Sequence, residues 1–100
     1  MKAQLTQLPA YVAAAVADDY ESFDLIVETV VKLLAQDGLS TEGPVILDIL
    51  GELVANGYVK AYALPATTEV PFSRDRLKEL WFYATPEGKR LANERGGWPR

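Results

Sequence analysis

One hundred residues, 49% of them hydrophobic and 10% aromatic, make one small domain with its own core rather than two domains or a disordered chain. There is no cysteine and no histidine, which excludes a disulfide framework, a thiolate metal site and histidine-based acid–base catalysis. The formal charge of −4 is divided unevenly: residues 1–57 carry two basic groups against nine acids, and residues 58–100 carry eight against five.

Such asymmetry fits head-to-tail self-association, a local anion-binding patch, or solvated faces that differ in charge. No apolar run approaches the roughly 20 residues that cross a bilayer, so no membrane partner is expected. Tyr11 to Ala17, YVAAAVA, ends in a small-residue pattern like that of a signal cleavage site. The stretch before it is polar and contains Pro9, so the expected address is cytoplasmic rather than exported.

Pro9 to Asp19 is alanine-rich and predicts a short helix with proline at its first position. Leu8, Tyr11, Val12, Ala15 and Val16 give it one narrow apolar stripe. That stripe packs on the domain or pairs with its copy in another subunit. Ser22 to Gln36 is the strongest helix, with Ser22 as N-cap and Asp24 in the first turn, where a negative charge suits the helix dipole. Asp24, Glu28 and Lys32 form its wet stripe. Nearly all the rest is apolar (Phe23, Leu25, Ile26, Val27, Val30, Val31, Leu33, Leu34), so this helix is central to the core. Asp37-Gly38 ends it with a left-handed glycine.

The next helix starts at Thr41, with Thr41 or Gly43 as cap and Pro44 in the first turn. Ile46, Ile49, Leu50, Leu53 and Val54 line its buried side; Asp48, Glu52 and Asn56 mark the wet side. Gly51 costs about 1 kcal/mol relative to alanine there, which suggests close approach of a neighbour. Asn56-Gly57 closes the helix. Tyr58 to Leu64 alternates Val59, Ala61 and Ala63 against Tyr58, Lys60 and Tyr62, the two-residue period of a strand.

Leu80 to Ala84 shows the same period and pairs with the first strand as an antiparallel ribbon. Residues 65–79 between them read as a long loop with two prolines, with room for a helical turn from Ser73. Thr85 caps a last helix that begins at Pro86, has Leu91 and Ala92 on its apolar side and ends at Gly96-Gly97. Residues 98–100 form a loose tail.

Two stretches, ELVANGYVKAY and WFYATPEGKRLA, resemble a winged helix-turn-helix domain of the small bacterial type. They carry a helix that ends in Asn-Gly and runs into a strand, and an aromatic strand followed by a Thr-Pro turn and a helix. The resemblance implies a mainly α fold, a winged-helix-like domain of three to four helices with a two-stranded antiparallel β-wing whose loop is 65–79. Residues 1–20 would be an N-terminal helical extension of this single domain, 1–100. It also implies, often, sequence-specific DNA binding.

The helix in the recognition position departs from that expectation. Pro44 to Asn56 has no Lys or Arg and exposes Asp48 and Glu52. Duplex binding draws much of its affinity from phosphate neutralisation and its base reading from Arg, Lys, Asn and Gln. Two carboxylates on a docking face oppose both.

The basic groups lie elsewhere: Lys60 on the first strand and Arg74, Arg76 and Lys78 in the wing loop. SRDRLKEL (Ser73 to Leu80) is either a contact for an anionic partner or a solvated loop in which Asp75 and Glu79 cancel half the charge. Tyr58, Tyr62, Trp81 and Tyr83 form an exposed aromatic face or pack against helices. These eight residues are the candidate interaction surface. Ser22, Ser40 and Ser73 have no histidine to activate them, and no carboxylate sits in an evident apolar pocket. Asp18, Asp19 and Glu21 read as helix flanks rather than a hard-cation site. The expectation is a non-enzymatic interaction module without cofactor or metal, self-associating or protein-binding. The alternative is a DNA-binding transcriptional regulator docking through the wing.

Overall fold

Ser22 and two glycines set the limits of the long helices in the computed structural model, which describes residues 1–63 and 68–97, the last four as backbone. Ser22 adopts an extended backbone and its hydroxyl accepts the Leu25 N–H, opening α2 (Phe23–Gln36). At the other end Leu39 N–H donates to the Leu34 carbonyl (2.8 Å) and Gly38 N–H to that of Ala35 (3.1 Å). That Schellman arrangement needs the left-handed φ of +72° at Gly38. The device recurs at the end of α3 (Gly43–Ala55), where Tyr58 N–H reaches the Leu53 carbonyl (2.9 Å) and Gly57 has φ +81°. The N-cap of α3 is Glu42, not Thr41 or Gly43; its backbone is extended, and its carbonyl accepts from Val45 and Ile46.

The first helix, α1 (Leu8–Ala15), ends four residues short of the expected Asp19. Leu8, Ala10, Tyr11, Val12, Ala13, Ala15 and Val16 are all buried, and the helix packs chiefly against the last helix and also on α3 and α2. Of the two fates open to its stripe, it takes packing on the domain. Alanine makes this possible, because its small side chain lets neighbouring backbones close in on several sides. The Tyr11 hydroxyl, on this otherwise apolar helix, donates to the Asp37 carboxylate at the end of α2. Ahead of α1, Lys2 pairs with Ser40 in a parallel bridge, and Ala3 N–H donates to the Ser40 carbonyl (2.8 Å).

The expected ribbon is present and is the centre of something larger. β2 (Val59–Ala63) and β4 (Leu80–Ala84) pair antiparallel from Val59↔Ala84 to Ala63↔Leu80. Two short strands flank them, β1 (Glu21–Ser22) against β4 and β3 (Thr68–Val70) against β2, so the sheet has four antiparallel strands in the order β1-β4-β2-β3. The two-stranded wing is corrected accordingly, and the architecture is mixed α and β. Residues 68–79 hold more order than a loop: the helical turn for which Ser73 left room is present as a 3₁₀ helix over Arg74–Glu79, with no side-chain cap from Ser73, and only 71–73 between it and β3 lack regular structure. The expected end of the first strand at Leu64, the loop at 65–67 and the tail at 98–100 lie outside the described residues.

Thr85 joins sheet to helix. Its hydroxyl accepts the Gly88 N–H (3.2 Å), capping α4 (Pro86–Gly97), and donates toward the carbonyls of Gly57 (2.8 Å) and Tyr58 (3.1 Å). One face of the sheet (Val59, Ala61, Leu80, Phe82, Ala84) is buried with α1, Ile26, Val30, Leu34 and the apolar side of α3. Phe82 is fully enclosed, a burial worth about 1.5–3 kcal/mol.

Candidate interaction surface

Strand alternation divides the sheet cleanly. Leu80, Phe82 and Ala84 are buried, so Trp81 and Tyr83 project from the opposite face, as do Lys60 and Tyr62 on β2. The register then sets neighbours: Trp81 lies between Ser22 and Tyr62, and Tyr83 lies beside Lys60. Tyr62 in turn faces Glu69 on β3.

Tyr20, just ahead of β1, completes the group. Its ring centroid is 5.1 Å from that of Tyr62 in an edge-to-face contact and 4.9 Å from that of Tyr83 in a tilted one. Such pairs contribute about 0.5–1.5 kcal/mol beyond area burial. The Lys89 ammonium sits 4.8 Å from the Tyr83 ring centre and donates to its hydroxyl at 3.0 Å. At the other side Lys60 pairs with Glu69 at 3.2 Å.

Tyr20, Tyr62, Trp81 and Tyr83 are half-buried, yet among the described residues none of them packs on the core. The Tyr20 ring shields Tyr62 and Tyr83. The Tyr62 phenol shows this in its ionisation, which is pushed above the ordinary value first by desolvation and then by the Tyr20 phenol.

Tyr58 does not belong to this layer. It packs against the core, beside Glu87, Arg90 and Leu91 of α4, so of the four expected aromatics one takes the helix-packing role and three the outer face. Sequence reasoning missed Tyr20 and Lys89. Tyr20 precedes a strand too short to leave a periodic signal, and Lys89 reads as one more exposed residue of a charged helix.

The wing cations are placed apart from the aromatic layer. Arg74 donates to Asp48 at 2.7 Å, across from the 3₁₀ helix to α3. Arg76 makes two bonds of 3.3 Å to Glu79, which hold the Glu79 carboxyl below the usual carboxylate range. Lys78 lines a groove with Ser22, Phe23, Asp24 and Leu77, and no ion pair of Lys78 is formed among the described residues. Asp48 and Glu52 are both exposed.

Exposed pairs such as these add only about 0–1 kcal/mol to stability. Their consequence for binding is larger, since each guanidinium already faces a carboxylate that a phosphate would have to displace. One carboxylate departs from expectation: burial, then the neighbouring Asp19, raise the Glu21 pKa. Among the described residues no three His, Cys, Asp or Glu side chains gather as a metal site, and no helix is long and apolar enough to cross a membrane.

Comparison of the chain with protein-family models, with curated proteins and with solved structures returns no match.

Proposed function

We propose that this chain is a non-enzymatic, winged-helix-like interaction module of the cytoplasm, whose working surface for another protein is the outer face of the sheet. Three helices followed by an antiparallel ribbon and a Thr-Pro-capped helix support the winged-helix part of that reading. The observation that carries the function is the layer of Tyr20, Tyr62, Trp81 and Tyr83, held outside the core on the outer face of the sheet, with Lys89 of α4 over the Tyr83 ring at its rim. Tyrosine and tryptophan in the middle of a patch with charges at its rim is the composition of protein interfaces and their hot spots. Rings stiff in two torsions lose little freedom on contact.

Duplex DNA as the partner is less well supported. The Arg74–Asp48, Arg76–Glu79 and Lys60–Glu69 pairs leave little net positive charge along the wing, and α3 exposes Asp48 and Glu52. The test compares the native chain with a Tyr62→Ala, Trp81→Ala double variant as bait in extracts of the source cell. Loss of the retained proteins on the variant, with its circular dichroism and melting unchanged, is the expected result. An identical set of captured proteins would remove the reading.

A further inference from the structure

We infer that the groove between residues 5–9 and α3 is a docking site for a basic segment of a protein partner, one that carries an apolar side chain beside an arginine or lysine. The site goes beyond the reading given above. None of its residues belongs to the sheet, so it and the aromatic layer stand or fall separately.

The floor and lip of the groove are apolar. Val45 and Ile49, one turn apart on α3, line it together with Leu5 and Pro9, and its volume is about 540 Å³. That lies within the ~300–1,000 Å³ of ligand sites, enough to take an inserted side chain or two. Leu5 is 67% exposed, the most open large apolar side chain after Met1. An apolar anchor laid over it removes that surface from water.

Charge selects the occupant. The rim is Asp48 and Glu52, also one turn apart, and no Lys or Arg lines the groove. The helix already holds one guanidinium at this rim, since Arg74 donates to Asp48 at 2.7 Å. Glu52 forms no ion pair among the described residues, so the second carboxylate is open to a cation from outside. The wider field has the same sign: residues 1–57 carry two basic groups against nine acids. Such a rim repels phosphate and carboxylate and favours a cationic partner.

A single exposed ion pair contributes only about 0–1 kcal/mol, so charge decides which segment docks and the apolar insertion holds it. An amphipathic helix supplies both within one turn, an apolar anchor and a basic residue three or four positions away.

The test is fluorescence anisotropy of a labelled peptide of roughly three helical turns, with leucines at helical spacing and arginines between them, titrated with the full chain. Saturable binding is expected. Leu5→Ser and Glu52→Lys should each weaken it about tenfold, while Asp24→Lys, an equal charge change on α2, should leave it nearly unchanged. A peptide with glutamate in place of arginine should bind Glu52→Lys better than the native chain, a reversal that misfolding cannot produce. No binding of the leucine–arginine peptide to the native chain would overturn the inference and leave the aromatic layer untouched. Binding indifferent to Leu5→Ser and Glu52→Lys would overturn it by placing the peptide elsewhere. Equal losses in Asp24→Lys and Glu52→Lys would overturn it by reducing the attraction to general acidity. Concentration-dependent dimerisation abolished by Leu5→Ser would overturn it in favour of a second copy in the groove.

Discussion

Gly88, in the first turns of α4, lies directly against the main-chain carbonyl of Tyr58 at the start of β2. A methyl group on Gly88 would overlap the Tyr58 oxygen and stand 3.0 Å from its carbonyl carbon and 3.1 Å from the Ala84 side chain. The obstacle is backbone, which cannot rotate away. That same carbonyl accepts from Thr85 through both its N–H (3.0 Å) and its hydroxyl (3.1 Å), so the approach, the cap and the angle of α4 are one arrangement. Gly88→Ala should therefore destabilise the fold by about 1–3 kcal/mol, the usual cost of overpacking, despite alanine's better helix propensity. Urea denaturation measures it; an unchanged midpoint would mean that α4 shifts at no cost.

Gly51 is the opposite case. Its position in mid-helix suggested a neighbour pressing close, but the neighbour is the edge of the Phe72 ring, 3.5 Å from where a β-carbon would stand. That is ordinary van der Waals contact. Gly51→Ala should stabilise α3 by about 0.4–1 kcal/mol, through lower unfolded-chain entropy and better propensity. A melting temperature below the native value would show that Phe72 has no room to share.

The parts of this fold visible in the sequence are those determined by near neighbours. Ser22, Gly38, Gly57 and Pro86 act within a few residues of themselves, as does Thr85 in capping Gly88, and alternation in Leu80 to Ala84 already separates Trp81 and Tyr83 from Phe82. What escaped depends on distant partners. Glu21 and Ser22 form a strand only because Trp81 and Phe82 lie alongside, and Thr68 to Val70 only because Ala61 to Ala63 does. The alanines of α1 look like a thin stripe until three other helices close around them. The site follows the same rule: Tyr62, Trp81 and Tyr83 were legible, while Tyr20 and the Asp48–Arg74 pair, 26 residues apart, were not.

Acid titration should separate two glutamates of opposite behaviour. Glu21 has a raised pKa because burial, reinforced by Asp19, disfavours its charged form. The folded state then holds that proton more tightly than the unfolded chain. The stabilising contribution is fully present below the unfolded-state pKa and is lost as pH rises through the folded one. Glu79, lowered by its bonds to Arg76, contributes above the unfolded-state pKa and loses that contribution as pH falls through the folded one. It is solvent-exposed, so its effect should be slight. Glu21→Gln should melt above the native protein at neutral pH, with the gap closing as carboxylates protonate, while Glu79→Gln should follow the native curve closely. A Glu21→Gln protein that melts lower at neutral pH would contradict this account.

The charge on α3 can be tested without reference to any partner. Asp48 and Glu52 are exposed, and Asp48 holds Arg74 at 2.7 Å, so neutralising both carboxylates should release one guanidinium and remove two negative charges from the exposed side of α3. Stability should change by less than about 1 kcal/mol, since the pair is exposed. Duplex affinity should respond far more, because each added phosphate contact steepens the dependence of log K on log salt by roughly 0.9. Native protein should show little binding to a random duplex at physiological salt. The Asp48→Asn, Glu52→Gln variant should bind at low salt and release as salt is raised. Fluorescence anisotropy across a salt series measures both, and tight native binding with a steep salt slope would mean that the wing grips phosphate in spite of these carboxylates.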